Sequence, residues 1–147
     1  MKKALIVFGI LVVLAVAYYG LSPLFIHTQL NEQAPINTTG SVAREVVGTV
    51  GHPASGRAGI VQAGVVPGEE DAHYLRYENL KTINGPDLYV YLAKDLDAKE
   101  FVNLGRLRAT EGNVNYEIPE GVDVSEYRYA LTWCKQFSVL FNYADLK

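Results

Sequence analysis

The distribution of apolar and polar positions divides the chain into three parts. Residues 4–26 contain no charged residue, and positions 4–17 are almost entirely aliphatic. Residues 28–43 are mostly polar, whereas from residue 44 onward short apolar or alternating stretches are separated by Gly, Pro and Asn. These patterns predict an N-terminal signal-anchor transmembrane helix over 1–27, a flexible polar tether over 28–43, and one β domain over the remaining residues, 44–147.

The apolar N-terminal segment is long enough to cross a lipid bilayer. Its twenty-three residues, 4–26, would rise about 34 Å as a helix, and the hydrocarbon core of a bilayer is about 30 Å thick. Lys2 and Lys3 precede the segment, and no basic cluster follows it directly. The positive-inside rule therefore predicts a single-pass protein of the cell membrane, with a cytoplasmic N-terminus and an extracytoplasmic domain.

A cleaved signal peptide is the alternative interpretation of the same segment. Ala15 and Ala17 form the small-x-small pattern of a cleavage site behind a short apolar core. The apolar run continues beyond this site through Leu21 and Phe25, which favours an anchor that is retained. Both interpretations place the domain outside the cytoplasm.

The region after the tether has the spacing of short strands joined by turns. Strong turn signals, such as Asn84-Gly85-Pro86, interrupt it at regular intervals. The predicted strands are 44–50, 59–66, 73–78, 87–93, 104–109, 113–118, 127–133 and 137–141. Stretches 69–72 and 98–103 have room for no more than a helical turn. The fold predicted is all-β, a β-sandwich or partly closed barrel of about eight short strands.

Charge and motif content narrow the classes of function. The chain has 13 basic and 16 acidic residues, and no stretch offers the basic face that neutralises phosphates, so nucleic acid is not expected as a partner. The sequence contains no nucleophile elbow, Walker loop, dinucleotide fingerprint or paired zinc-ligand motif. These features favour a binding module over a classical enzyme, and they identify no cofactor.

The single cysteine is the most informative candidate for chemistry. With one cysteine, Cys134, the chain cannot form an intramolecular disulfide. Strand alternation places the larger side chains on one face and the smaller ones on the other: Tyr127, Tyr129, Leu131 and Trp133 against Ala130, Thr132 and Cys134. Two interpretations of Cys134 stay open, a reactive thiol and a small buried side chain that only packs.

The histidines do not complete a metal site with this cysteine. A type-one copper site needs a cysteine, two histidines and often a methionine, with one histidine close behind the cysteine. No histidine follows Cys134, since the three in the chain are His27, His52 and His73, and the only methionine is Met1. No metal site is therefore predicted.

Two longer motifs resemble a known family. They are Asn-Gly-Pro-Asp-Leu-Tyr-Val-Tyr-Leu at 84–92 and Thr-Trp-Cys-Lys-Gln-Phe-Ser-Val-Leu-Phe at 132–141, with shorter similarities at 104–107 and 115–119. In order and spacing they resemble the DM-thirteen domain family, described as the electron-transfer DM domain, over roughly 48–146. The resemblance implies a small extracytoplasmic β domain with a redox or electron-transfer role and a characteristic Trp-Cys pair.

The resemblance also assigns residues and a partner class. Matched residue by residue, the proposed redox cysteine falls on Cys134, with Trp133 in support, and the family suggests a membrane redox partner such as a b-type cytochrome. The sequence departs from the family at Leu80, where Phe is usual, and at Asn142, where Gly is usual. Asparagine is the residue that next best tolerates left-handed backbone, so we expect the local conformation to be kept.

Two functional hypotheses follow from these observations. In the first, a membrane-anchored domain passes electrons or exchanges thiols through Cys134, which Trp133 shields or orients. In the second, the domain is a non-catalytic adhesion or ligand-binding module in which Cys134 is structural. Its binding surface would be aromatic, built by Tyr74, Tyr77, Tyr89 and Tyr91. The exposure of the Cys134 thiol distinguishes the two hypotheses.

Overall fold

One α-helix, eleven strands and a short 3-10 helix, Val124–Glu126, make up the regular structure of the described residues. The computed structural model describes residues 2–22, 27–63 and 72–147. The helix is α1, Lys2–Leu21. The strands are β1 Gln29–Asn31, β2 Thr39–Gly40, β3 Arg44–Glu45, β4 Val47–Gly48, β5 Ala54–Gln62, β6 His73–Thr82, β7 Leu88–Ala93, β8 Phe101–Arg106, β9 Glu111–Ile118, β10 Tyr129–Cys134 and β11 Val139–Asp145.

The strands form two sheets of a sandwich. The first sheet has the order β1-β9-β6-β5-β2, with β3 also pairing with β5, and the second has the order β4-β11-β10-β7-β8. Neighbouring strands are antiparallel except for β1 and β9, which are parallel. The all-β prediction is confirmed, and of its two alternatives the sandwich is observed because neither sheet closes on itself.

Helix α1 is apolar on every side. Its window Lys2–Tyr19 is long and apolar enough to cross a membrane, and none of that window is buried within the protein. A helix that is apolar on all sides needs apolar surroundings, and because this one is not buried within the protein, its composition fits a lipid environment. Residues 23–26, the last part of the predicted span, lie outside the described residues.

The main core lies between the two sheets and follows from strand alternation. In β6, Leu75 and Tyr77 point inward while Tyr74 lies on the opposite face, and in β7 Val90 and Leu92 point inward. The other buried members of this core are Val46, Ala58, Leu80, Ala109, Val114, Tyr116, Ile118, Ala130 and Ala144.

Two buried tyrosines make the stability of this core sensitive to alkaline pH. Burial raises the pKa of Tyr77 and raises the pKa of Tyr116 to about 12, although the Arg108 backbone N–H, which donates to the Tyr116 hydroxyl at 2.9 Å, opposes this rise. A tyrosine whose pKa is raised on folding contributes its full stabilisation at pH values below 10.0, its pKa in the unfolded chain. That stabilisation is lost as pH rises from there toward the folded pKa.

We therefore expect the free energy of unfolding to fall between pH 10 and 12, by up to about 1.4 kcal/mol per pH unit for each buried tyrosine. Urea unfolding at a series of pH values would measure the fall. In Tyr116→Phe the free energy of unfolding should fall less steeply with pH, because one titrating group is removed. The wild-type protein at the same pH values is the control. Equal slopes in the two proteins would contradict a buried, titrating Tyr116.

Several predicted strands have different limits in the structure. The predicted strand 44–50 is two strands in different sheets, because Val46 is buried between them and its N–H donates to the Gly56 carbonyl at 3.0 Å. The predicted strand 137–141 begins at Val139, since Phe137 lies in the turn before β11. The predicted strand 59–66 begins earlier, at Ala54, and its residues 64–66 lie outside the described residues.

No helical turn forms over 98–103, one of the two stretches with room for one. Lys94 N–H donates to the Glu100 carbonyl at 3.0 Å, closing the loop after β7, and β8 then begins at Phe101. The Phe101 ring stacks on Tyr91 of β7 at 4.1 Å between ring centroids, which holds this residue in the sheet. The strand predicted over 104–109 therefore begins and ends about three residues earlier. Of the other predicted turn, 69–72, residues 69–71 lie outside the described residues.

Part of the segment predicted as a flexible tether belongs to the first sheet. Strand β1 pairs with β9, with Leu30 opposite Gly112, and Glu32 accepts a hydrogen bond from Asn115 N–H at 2.7 Å. Gly112 has φ +112°, and a Cβ there would collide with the Leu30 carbonyl, so only glycine permits this pairing. Strand β2 pairs with β5. The flexible segment predicted over 28–43 is thus partly ordered.

Candidate functional site

Cys134 ends strand β10 and faces the interior. Its neighbours in the sheet are Leu88 of β7 and Val139 of β11, and its exposed fraction is 0%. The side chain packs in a small apolar cluster with Leu88 and Phe141, with partly buried hydrophobic residues around it, Ile83 and Leu107. Within β10 the predicted division into two faces is confirmed: Ala130 and Cys134 point inward, while Tyr129, Leu131 and Trp133 form part of an outer cluster. For Tyr127 the prediction is wrong, because this residue precedes β10 and packs against the main core.

Phe141 and His52 form an aromatic cover beside the thiol. Phe141 is 6% exposed and packs in the same cluster as Cys134. The His52 ring stacks on the Phe141 ring with centroids 3.9 Å apart and an angle of 28° between planes. His52 is itself only partly buried. The thiol is therefore separated from solvent on this side by two stacked rings.

Hydrogen bonds hold the turn that carries His52 against β11. Thr49 Oγ1 lies 3.1 Å from His52 Nδ1 and donates to the Leu140 carbonyl at 2.8 Å. The Thr49 N–H donates to the Phe141 carbonyl at 3.0 Å. These contacts join residues about ninety positions apart in the chain, and they place the imidazole over Phe141.

Gly85 of the first motif approaches the other side of this arrangement. A Cβ at Gly85 would lie 2.9 Å from Phe141 Cζ, so a larger residue would push the ring. The neighbouring turn residue Pro86 lines an open apolar groove of about 370 Å³ outside the cover. The other residues of the groove are Tyr19, His52, Gln136, Phe137, Val139 and Phe141. This groove is the open surface next to the cover.

Trp133 lies on the face of β10 opposite to Cys134. It is half-buried, pairs in register with Tyr89, and packs in the outer cluster around Tyr91 and Leu131. The structure therefore does not bring the Trp133 ring and the Cys134 thiol together. Trp133 can affect the thiol only through the backbone they share.

Asn142 occupies extended backbone within β11, so the left-handed conformation expected for this position is wrong. Its side chain is fully buried, and Nδ2 donates to the Thr82 hydroxyl at 3.0 Å. Its oxygen Oδ1 and the hydroxyl of the adjacent Thr132 have no hydrogen-bond partner within the described part of the chain. The Asn142 side chain is held in place by this hydrogen bond between the two sheets, and not by the geometry of a turn.

The aromatic surface of the second hypothesis is not formed. Tyr77 is 1% exposed and points into the core, and Tyr91 is 3% exposed. Tyr74 and Tyr77 belong to the first sheet, whereas Tyr89 and Tyr91 belong to the second. The four tyrosines cannot act together as one binding surface.

Sequence reasoning weighed His52 only as a metal ligand and missed its place in the cover. No local signal identifies it, because the partner ring lies on a distant strand. Among residues 2–22, 27–63 and 72–147, no group of three or more histidine, cysteine, aspartate or glutamate side chains has a metal-binding arrangement.

One comparison with known proteins gives a match. The family model described as "Electron transfer DM13" matches residues 47–146, a range that contains Cys134 and both rings of the cover. No curated protein and no solved structure matches the chain.

Proposed function

Because the chain belongs to the electron-transfer DM13 family, we propose that it is a membrane-anchored redox module in which the Cys134 thiol is the reacting group. Helix α1 crosses the membrane once with the N-terminus in the cytoplasm, and the sandwich lies on the extracytoplasmic side. Its partner is a membrane redox protein, of which a b-type cytochrome is one class. Trp133 supports the site from the opposite face of β10.

One observation carries this proposal. The family match includes the chain's single cysteine, and that cysteine packs beside a cover of two stacked rings at the border of an open groove. Reactive cysteines require access by a reagent, which the closed cover denies. The redox function therefore requires Phe141 and His52 to move aside.

The turn at 49–52 is suited to such movement. Val50 is almost fully exposed and makes no contribution to the core, and Gly51 has φ +81° with no atom within 4 Å of the place where a Cβ would lie. Thr49 supplies the hydrogen bonds that close the turn. Breaking these bonds frees His52, and Phe141 then loses its outer neighbour.

With the cover open, Cys134 can exchange with a disulfide of the partner. The Cys134 sulfur attacks one partner sulfur, a mixed disulfide forms, and the partner's S–S bond breaks. The thiol proton goes to the departing sulfur. A low-molecular-weight thiol then attacks the Cys134 sulfur, so that the partner leaves as a dithiol with two more electrons. A second such thiol attacks the outer sulfur of the Cys134 adduct, which restores the Cys134 thiol and leaves the two small thiols joined as a disulfide.

The test is a redox titration of the full chain in phospholipid nanodiscs with oxidised and reduced glutathione. We expect one reversible glutathione adduct per chain in the wild type, detected by intact mass, and none in Cys134→Ala. The alanine variant keeps a small apolar side chain, so its unfolding midpoint serves as the control for folding. A wild-type protein that forms no adduct while folded would overturn the proposal.

The complete burial of Cys134 favours a second candidate, a non-catalytic adhesion or ligand-binding domain with a structural cysteine. In that case the thiol reacts only after global unfolding. The two candidates then differ in one measurement: the redox module forms its adduct at denaturant concentrations where the fold is intact, and the binding domain forms it only along the unfolding transition.

A further inference from the structure

The two ends of the sandwich differ in chemistry. The strand directions bring the turns 49–53, 83–87, 107–110 and 135–138 to one end, which we call the anchor end. The loops 94–100 and 119–128 lie at the opposite end, which we call the acidic end. The covalent attachment of α1 and the charges are distributed unequally between these ends, whereas exposed apolar side chains occur at both, with Ile36 and Phe101 toward the acidic end.

The anchor end carries exposed apolar side chains at its tips. Val50 is 99% exposed, Phe137 is 63% exposed and Val139 is 38% exposed. Phe137 stands in the turn between β10 and β11, where the left-handed Ser138, φ 52°, reverses the chain. An aromatic ring held in solvent at a tight turn is unfavourable in water and favourable in a lipid interface.

Charged residues are concentrated at the acidic end. The two loops of the acidic end contain six acidic and three basic residues. The four turns of the anchor end contain three charged residues in all, Asp87, Arg108 and Lys135. An end with few charges loses little hydration when it approaches a bilayer, whereas the acidic end would be costly to bring there.

The chain attaches to the sandwich at the anchor end. The Thr28 N–H donates to Thr110 Oγ1 at 3.0 Å, and Thr28 also accepts from the Thr110 N–H at 2.9 Å. From Leu21, where α1 ends, to Thr28 the backbone can span at most about 25 Å. Tyr19 of α1 also lines the groove beside Phe137. The anchor end must therefore stay close to the membrane surface.

We propose that the anchor end docks on the bilayer that α1 crosses, with Phe137 and Val50 inserted into the interfacial layer of the lipid. The inference rests on the membrane anchoring of the proposed function, and it names the lipid as the occupant of the apolar tips. Docking places the groove and the aromatic cover at the membrane surface. A partner embedded in the membrane then reaches the cover more readily than a soluble one does.

The test uses the full chain, with Cys134→Ala, reconstituted into phosphatidylcholine vesicles. A polarity-sensitive fluorophore is attached at Phe137→Cys, and in a matched control at Glu120→Cys, an exposed turn residue of the acidic end. Spin-labelled lipids should quench the fluorophore at 137 severalfold more than the one at 120. Quenching should be equal at low and high salt, because the contact is apolar.

Three outcomes would overturn the docking. The first is equal quenching at the two positions, and the second is quenching that high salt removes. The third is a fluorophore at 137 that is shielded from aqueous iodide but not quenched by the spin-labelled lipids. That result would mean that a second copy or a protein partner covers position 137. Val50→Glu puts a charge on a residue that contacts lipid in the proposal, so it should lower the quenching at 137. It should leave the unfolding midpoint unchanged, because the Val50 side chain is 99% exposed in the folded protein.

Failure of the anchoring itself is measured separately. Flotation of the vesicles after an alkaline wash shows whether the chain is integrated. A chain that does not float contradicts the anchoring, and a chain that floats with no preferential quenching at 137 contradicts the docking alone.

Discussion

Phe141→Ala is expected to make the Cys134 thiol react with an alkylating reagent at least about tenfold faster than in the wild type, under conditions where both proteins are folded. Phe141 packs in the cluster of Cys134 and is itself covered by His52. Removing the ring leaves a void between the thiol and the groove, and it shortens the path for a small reagent. The measurement is the rate of alkylation by intact mass.

The same change is expected to lower the free energy of unfolding by about 3 kcal/mol, since a buried phenylalanine is lost. Faster alkylation could then come from global unfolding alone. His52→Ala separates the two effects, because it removes the outer ring at a partly exposed turn and should cost no more than about 1.5 kcal/mol. We expect His52→Ala to raise the alkylation rate by more than its loss of stability predicts.

Alkylation as slow in folded Phe141→Ala as in the wild type would show that the cover does not control access to the thiol. The redox proposal would then lose its route to the surface. If the alkylation rate of both variants rises only as much as their loss of unfolding free energy predicts, the structural role of Cys134 is supported.

Leu92→Ala is expected to lower the free energy of unfolding by about 3 kcal/mol. Leu92 lies on β7, is fully buried, and belongs to the main core between the sheets. Its neighbours in the sheet, Ala130 of β10 and Val102 of β8, cannot collapse into the space, because they are held in register by backbone hydrogen bonds. Urea unfolding, followed by the fluorescence of Trp133, measures the change.

Val50→Ala is the control for this prediction. It removes apolar atoms from an exposed turn and should change the free energy of unfolding by less than about 0.5 kcal/mol. Similar losses in the two variants would contradict the position of Leu92 in the core.

Side-chain alternation is a local property, and it predicted the faces of the strands well. In β10 the inward Ala130 and Cys134 and the outward Trp133 follow directly from period two. Turn residues such as Gly85 and Pro86 predicted the break before β7, because their backbone preferences act within a few residues. Fold class followed from the number and spacing of such segments.

Pairing between distant segments was not predictable in the same way. Polar composition predicted a flexible segment over 28–43, yet β1 pairs with β9, about eighty residues away, because Gly112 leaves room for Leu30. The break at Val46 has a similar cause, since its hydrogen bond is to Gly56 on another strand. Such contacts depend on which segments meet in space.

The sequence by itself determined that the chain has one apolar helix, a strand-rich domain, one cysteine, and motifs of an electron-transfer family. Only the tertiary structure decided that the cysteine is sealed, since Leu88, Phe141 and the turn that carries His52 come from other segments. The burial of a side chain depends on all of its neighbours in space, whereas the pattern of a single strand indicates only which face of that strand the side chain is on. The distribution of apolar tips and charge between the two ends also appears only when the strands are assembled.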